Sequence, residues 1–322
     1  MKRKIKWVCW SVLFLAMFVS GCVAPGDADI TPLLWRATNG SGQTVYLFGS
    51  VRAVHYSAYP LPEFIMDAFE RSDYLAVEIP LPILLYFADE WEAARSKLVY
   101  QDGRTIVDDI GSELYERAVA VFTEMGILGF IVHCFEIDYK IPLFWWMEMT
   151  AMAMRFMFNE AGFAYWNNVA EYFEFRAETR EREMGIFEIL PIERQIEILT
   201  ELPIEFYIYS LEAIINMVED GSFGLFIREN ATLFREAYEA WKIDDERFDG
   251  TSGIEGNMIK AFEEEWRETV TAQRDSERER RIGYIIEEGK NAFVVVGMEH
   301  IVGEGGIVDF LVRKGYTVEI IR

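Results

Sequence analysis

Residues 44–52 read TVYLFGSVR, and residues 292–300 read AFVVVGMEH. Each begins as a short run of β-branched and aromatic residues and then reaches a glycine, a pattern that predicts a buried strand closed by a turn. Each is followed by a helical stretch and a second strand, at 74–79 (YLAVEI) and 316–320 (YTVEI). Both ends of the chain therefore carry the order strand, G-x-x-[Arg/His], helix, strand. We interpret this order as an internal pseudo-repeat, and chance similarity between short apolar strands is the alternative.

The segment between the two repeats, from about 81 to 288, has a mostly helical pattern that one strand interrupts at 185–190. The pattern predicts helices at 84–100, 111–126, 143–160, 167–183, 192–217, 226–241 and 255–288, and the dense charges of 263–281 predict a largely solvated helix there. Parallel strands need crossover connections, and these crossovers are right-handed. The two ends of the chain are therefore expected to meet in one sheet. The sequence predicts an α/β fold, bordering on α+β, in which a small mixed sheet is built from both ends and joined by a large helical middle. We expect a single domain over residues 32–322.

Ligand sites in sheets of this kind form beyond the carboxyl ends of the strands. Gly49, Glu78 and Gly297 all occupy such positions in the sequence. The polar side chains around them are expected to converge on one crevice, and they are Arg52, His55, Glu78 and His300. His300 can bind a metal ion through either ring nitrogen, and Glu78 can do so through its carboxylate.

At these residues the sequence resembles the TraB/GumN family, which includes the pheromone-shutdown proteins of conjugative plasmids and the Tiki proteases of animals. The family hallmark is a pair of G-x-x-H motifs, each after a strand, with a glutamate at the end of the second strand. Further similarities follow in the family's order along nearly the whole chain after residue 33, at Leu34-Trp35, Tyr59–Pro62, Gly185–Glu188, Gln195, Leu202-Pro203, Ala240–Lys242, Gln273–Asp275 and Tyr316–Val318.

For Tiki-type members, the resemblance implies metal-dependent hydrolysis of peptides. Two imidazoles and a carboxylate can hold a divalent ion with an open position, and that ion activates water. The resemblance thus makes His300 and Glu78 the expected ligands of a manganese, cobalt or zinc ion, and His55 is the candidate for a third ligand near the first motif. It makes Glu78 and Arg274 the expected catalytic residues, and a peptide or protein the expected substrate.

Two departures from the family pattern bear on this activity. Arg52 stands where the first G-x-x-H motif has its histidine, and Gln273 and Asp275 replace the glutamate and asparagine of a middle motif. A guanidinium has no free lone pair and stays protonated, so Arg52 cannot bind a metal ion. His55 follows three residues later, roughly 10 Å away along an extended loop. It becomes a ligand only if the loop turns tightly, and otherwise it lies at the rim of the crevice.

Arg52 is suited to two other roles. It could form a bidentate ion pair with Glu78, which would close the crevice, or it could bind the carboxylate of a substrate. No H-E-x-x-H, C-x-x-C, P-loop or G-x-S-x-G motif is present, so the common hydrolase and nucleotide-binding routes lack support. The sequence leaves two functions open: a metal-dependent, peptidase-like hydrolase, and a non-catalytic protein that binds a peptide or another ligand in the same crevice.

Residues 1–21 have the parts of a bacterial export signal. Basic residues within 2–6 precede an apolar run at 7–19, which is shorter than the roughly 20 residues of a spanning helix. Residues 19–22 (VSGC) fit a lipobox, in which Cys22 receives a diacylglyceryl group, and two acyl chains attach a protein stably to a membrane. We expect an extracytoplasmic lipoprotein, anchored to the cell membrane or outer membrane by Cys22, with 22–31 as a tether. The alternative is an uncleaved anchor with a chance cysteine.

The charge of the chain limits its partners. The net charge is −23, and it becomes −27 without the first 21 residues, because these hold four basic and no acidic residues. A field of that sign repels phosphate backbones, so no nucleic-acid partner is expected. Cys134 alone would remain unmodified after processing, so no internal disulfide is expected. The apolar stretch 141–158 contains Glu148 and Arg155, which argues against a membrane span. We expect a core helix there, and a helix that covers a hydrophobic cleft or touches the bilayer is the alternative.

Overall fold

The computed structural model describes most of the chain from residue 30 to residue 322. The described residues are 30–51, 53–78, 96–125, 137–164, 168–187, 192–242, 262–302 and 305–322. The predicted signal, Cys22, Arg52 and Cys134 lie outside these ranges, as does the tether except for its last two residues. The side chain of Arg274 is also outside the description, although its backbone belongs to a helix.

A six-stranded mixed sheet forms the centre of the fold and is built from both ends of the chain. Its strands are β1 (Leu34–Thr38), β2 (Thr44–Ser50), β3 (Tyr74–Val77), β4 (Glu183–Ile186), β5 (Ala292–Gly297) and β6 (Thr317–Ile321). Their order in the sheet is β4-β3-β5-β2-β1-β6. β5 lies between β2 and β3 and is parallel to both, whereas β1 is antiparallel to its neighbours β2 and β6. The predicted α/β fold is confirmed, and the two ends meet in one sheet.

The central strands are apolar runs because both faces of the sheet are covered. Phe48 of β2 and Val295 of β5 pack into the core on one face of the sheet. Leu47 of β2 and Val294 of β5 pack into the core on the other face. Strands that are buried on both faces have near-continuous hydrophobic sequences, which explains why these two could be recognised. β1 mixes apolar and polar residues (LWRAT), and its sequence did not predict a strand.

Helices account for most of the remaining described chain. They are α1 (Glu63–Glu70), α2 (Ile106–Glu124), α3 (Pro142–Ala161), α4 (Val169–Thr179), α5 (Ile192–Thr200), α6 (Ile204–Glu219), α7 (Phe223–Lys242), α8 (Glu263–Trp266), α9 (Ala272–Glu287) and α10 (Ile307–Arg313). A π-helical turn, Arg267–Thr271, joins α8 to α9. Local sequence sets the helix ends: Pro142 starts α3, where no backbone N–H is needed, and Gly162 stops it with a positive φ of 87°.

The helices form two layers, one on each face of the sheet. α9 and α10 cover one face with residues such as Ile282 and Leu311. Helices α1 to α7 pack against the other face around a larger core, which includes Trp145 and Trp241. The apolar stretch 141–158 supplies most of α3 and lies in this larger core, so its prediction as a core helix is confirmed.

Among the residues that the structure describes, no helix combines the length and the apolar character that crossing a membrane requires.

Three predicted elements differ from the structure. The helix predicted over 192–217 is two helices, because Pro203 has no backbone N–H to donate and becomes the N-cap of α6. Residues 84–95 of the helix predicted over 84–100 lie outside the described residues. The prediction that this helix continues to residue 100 is wrong, since Val99 pairs with Lys140 in an isolated β-bridge. The strand predicted at 185–190 begins two residues earlier, in β4, and its residues 188–190 lie outside the description.

Candidate functional site

The carboxyl ends of three neighbouring strands form one edge of the sheet. In the pairing of β2 with β5, Ser50 is opposite Gly297, and in that of β3 with β5, Val77 is opposite Val295. The N–H of Glu78, the first residue after β3, donates to the carbonyl of Val295 over 2.9 Å. The predicted convergence of these strand ends is therefore confirmed by the register of the sheet.

Glu78 and His300 face each other at this edge. Glu78 Oε2 accepts a hydrogen bond from the N–H of Gly297 at 2.7 Å, which ties the end of β3 to the end of β5. His300 ends the 3-10 turn Met298–His300 that follows β5 directly. Its Nε2 lies 3.6 Å from Glu78 Oε1, and the two side chains keep only 17% and 18% of their exposure. The sheet thus brings together a carboxylate and an imidazole that are more than 200 residues apart in sequence.

The third member of the group is Arg278, a residue that the sequence did not single out. Its Nη2 donates to Glu78 Oε1 at 2.9 Å and lies 3.0 Å from His300 Nε2. The Arg278 side chain is 2% exposed, so this guanidinium is buried against its two partners. We name Glu78, Arg278 and His300, with the N–H of Gly297, the strand-end site.

The contact between Arg278 and His300 has a direction. A guanidinium can only donate hydrogen bonds, so in a hydrogen bond between Arg278 Nη2 and His300 Nε2 the imidazole nitrogen is the acceptor. The same guanidinium nitrogen forms the ion pair with the carboxylate of Glu78.

Arg278 reaches the strand ends because of its place on α9. Ile282 and Ile285, four and seven residues later, are fully buried against the sheet. Residues at these spacings share one face of a helix, so position 278 also points inward. This spacing is the signal that could have identified Arg278 in the sequence. The dense charges of 263–281 instead favoured a solvated helix.

The other predicted site residues are not part of this group in the described structure. His55 is exposed, and its Nδ1 lies 2.9 Å from Ser57 Oγ and accepts from the N–H of Ser57. Its ring packs edge-on against Phe163. Arg52 lies outside the described residues, and the Arg274 side chain does as well.

Gln273, in the altered middle motif, forms hydrogen bonds with residues on and next to α5. Gln273 Oε1 accepts from Arg194 at 2.9 Å, and Gln273 Nε2 donates to Glu201 at 3.1 Å. Both partners lie on or next to α5 rather than at the strand ends. The amide of Gln273 therefore fixes α9 to a neighbouring helix and makes no described contact with the strand-end site.

These residues, as arranged, do not fit a divalent metal ion. A metal bound to His300 Nε2 would need the lone pair that already accepts from Arg278, and Glu78 Oε1 is held by the same guanidinium. Glu78 Oε2 is committed to Gly297. Within the described ranges, no group of three or more His, Cys, Asp or Glu side chains could hold a metal ion. A cavity of about 10 Å³ beside Arg278 and His300 has room for roughly one water molecule.

Comparison with known proteins identifies one relationship. The model of the TraB/PrgY/gumN family matches residues 33–320, which include every helix described above and every strand except the last residue of β6, Ile321. Searches of curated proteins and of solved structures returned no match.

Proposed function

The chain belongs to the TraB/PrgY/gumN family, and from this premise we propose that it is an exported lipoprotein that binds a peptide or another ligand at its strand ends without metal-dependent catalysis. One observation carries the proposal: the buried guanidinium of Arg278 bridges Glu78 and His300. A metal ion that activates water needs several protein ligands and an open position. Here the cation between the two candidate ligands is an arginine.

The strand-end site is nevertheless at the place where a sheet of this kind binds ligands. Crevices beyond the carboxyl ends of parallel strands are the usual binding positions in such folds. Arg52 follows the end of β2 by two residues, and we assign it the role of binding a ligand carboxylate by paired hydrogen bonds. Peptides carry such carboxylates at their C-termini and on acidic side chains.

A metal-dependent, peptidase-like hydrolase is the second candidate. It is favoured by the 3.6 Å separation of Glu78 Oε1 and His300 Nε2, since displacement of Arg278 would present two ligand atoms side by side. A third ligand would have to come from His55, after a rearrangement of its loop, or from outside the described residues.

Metal titration separates the two candidates. The chain from residue 23 onward contains every described strand, helix and core residue, so it is the material for calorimetry with manganese, cobalt and zinc. We expect negligible binding by the parent and by His300→Ala. Arg278→Met should gain affinity relative to the parent, because it frees His300 Nε2 and Glu78 Oε1 as ligands.

Two results would favour the hydrolase instead. Tight, one-to-one binding of a metal by the parent that disappears in His300→Ala would refute the metal-free site. Metal-dependent cleavage of a tryptic digest of casein, followed by mass spectrometry, would refute the non-catalytic proposal. Under that proposal the digest stays intact. Some of its peptides are retained in equilibrium dialysis, and Arg52→Gln, which removes the charge at a position of similar size, reduces their retention.

Export and lipid attachment form the other part of the proposal, and residues 19–22 (VSGC) support it. Cys22→Ser should leave an uncleaved, unacylated precursor, because serine has no thiol to accept the lipid. Metabolic labelling with a palmitate analogue in the full-length chain measures this directly. Undiminished label on the serine variant would show that the lipid is attached elsewhere.

A further inference from the structure

A groove of about 350 Å³ lies among the helices and shares no lining residue with the strand-end site. We call it the helical groove. Three parts of the chain line it: residues of the segment 99–109, the start of α3 at Ile141–Leu143, and the stretch from the end of α5 at Thr200 to Tyr207 in the first turn of α6. Its volume lies in the roughly 300–1,000 Å³ range of small-molecule sites.

The lining of the helical groove is mainly apolar. Leu143 and Leu202 line it and are nearly fully buried, whereas Ile204 lines it and is exposed. The ring of Tyr207 lines the groove, while its hydroxyl donates to the carbonyl of Leu199 and is therefore already satisfied. A ligand in this groove would be held mainly by the removal of its apolar surface from water.

The charged groups at the rim are engaged with one another. Arg104 contacts Asp102 at 2.8 Å and Asp109 at 2.9 Å, and the hydroxyl of Tyr100 donates to the other oxygen of Asp109. An anionic ligand would meet an arginine that is shared by two carboxylates, within a chain of strongly negative net charge. Two carboxylates and one guanidinium leave the rim with an excess of negative charge. The rim therefore disfavours an anionic ligand.

We propose that the helical groove is a second binding site, for a small apolar molecule that carries no negative charge and has an aromatic or acyl body. This site is independent of what the strand-end site binds, because the two are built from different elements. Its apolar lining provides the affinity, and its acidic rim excludes anions.

A neutral fluorescent probe tests the site. N-phenyl-1-naphthylamine becomes brighter in apolar surroundings, and we expect saturable one-to-one binding by the chain from residue 23 onward. Ile204→Glu places a charge at the edge of the groove, at the first position of α6, where an acidic residue is compatible with the helix. It should weaken binding at least about tenfold, since the probe would have to desolvate that carboxylate.

Leu225→Glu is the matched control. Leu225 is an exposed apolar residue in the first turn of α7, and it does not line the groove. This variant should bind the probe as the parent does. Thr200→Trp is a second variant at an exposed lining position, and its indole should reduce binding by filling part of the groove. Circular dichroism checks that each variant is folded, and Thr200→Trp provides the test if Ile204→Glu is not.

Three outcomes would overturn the proposal. The first is probe binding that does not saturate, and the second is binding that both groove variants leave unchanged. The third is displacement of the probe by the tryptic casein digest at lower concentration than by neutral aromatic competitors, which would assign the groove to peptides.

Discussion

Replacing Arg278 with methionine should lower the free energy of unfolding by about 3 kcal/mol. Methionine has a similar length and nearly the same helix propensity, so the backbone of α9 is not perturbed. The change removes a guanidinium that is 2% exposed and leaves Glu78 without the hydrogen bond that spans 2.9 Å. It also leaves His300 Nε2 without its donor at 3.0 Å.

The magnitude follows from the burial of the pair. Removing one partner of a buried ion pair typically costs about 3–5 kcal/mol. The lower end applies here, since Glu78 keeps 18% of its exposure and keeps the hydrogen bond from Gly297. The double variant Arg278→Met with Glu78→Gln should recover part of the loss, because the carboxylate is then neutral.

Urea denaturation of the chain from residue 23 onward measures the effect as a shift of the midpoint at constant slope. Arg280→Met is the matched control: Arg280 lies on the same helix, is 62% exposed and pairs only with Glu277 in the described structure. Exposed pairs contribute roughly 0–1 kcal/mol, so this variant should stay close to the parent. A loss below about 0.5 kcal/mol for Arg278→Met would show that the guanidinium is not held as described. Arg278 would then be no obstacle to a metal ion between Glu78 and His300.

Two further substitutions test the pH dependence and the packing of the fold. Burial, followed by the charges of Glu171 and Glu178, raises the pKa of Glu174 from 4.5 to about 7. The folded state therefore holds this proton more tightly than the unfolded chain, and the stability that the group contributes is lost as the pH rises from about 4.5 to about 7. Glu174→Gln should thus melt at a higher temperature than the parent at pH 8 and at a similar temperature at pH 4, and an equal difference at both pH values would contradict this. Gly185→Ala should destabilise the protein by about 1–3 kcal/mol in urea denaturation, because its Cβ would lie 1.7 Å from the hydroxyl of Tyr74. Gly283→Ala in α9, where a Cβ meets nothing within 4 Å, is the control and should be neutral or stabilising.

The ends of the chain could be read from the sequence because each signal there is local. An apolar run, a glycine and an acidic residue after a short strand fix a strand end wherever the sheet is buried on both faces. The pairing of β5 with both β2 and β3 then follows from the need for crossovers between parallel strands. Glu78 and His300 were found in this way, and their 3.6 Å separation agrees with the expected convergence.

The spacing to Ile282 and Ile285 points to the inward face of α9, but it does not select one arginine on that face. Arg274 and Arg278 are four residues apart, so charge and spacing alone do not distinguish the two positions. What places Arg278 in the site is the position of α9 along the sheet, which depends on contacts made by other helices. β1 was missed for a related reason. Its polar positions are tolerated because the antiparallel pair with β6 lets Arg36 reach Glu319 over 2.7 Å at the surface.

Whether a metal ion or a guanidinium can lie between Glu78 and His300 depends on the rotation of α9 about its axis, because that rotation decides which side chain faces the strand ends. The strand ends alone would leave a carboxylate oxygen and an imidazole nitrogen side by side, an arrangement that either a metal ion or a guanidinium can bridge. The π-helical turn Arg267–Thr271 takes up one more residue than an α-helical turn, which rotates everything after it by about 100°. α9 begins at the next residue, so this turn helps to decide which of its side chains faces the strand ends. With Ile282 and Ile285 anchored in the core, that side chain is Arg278, and its guanidinium contacts both Glu78 and His300.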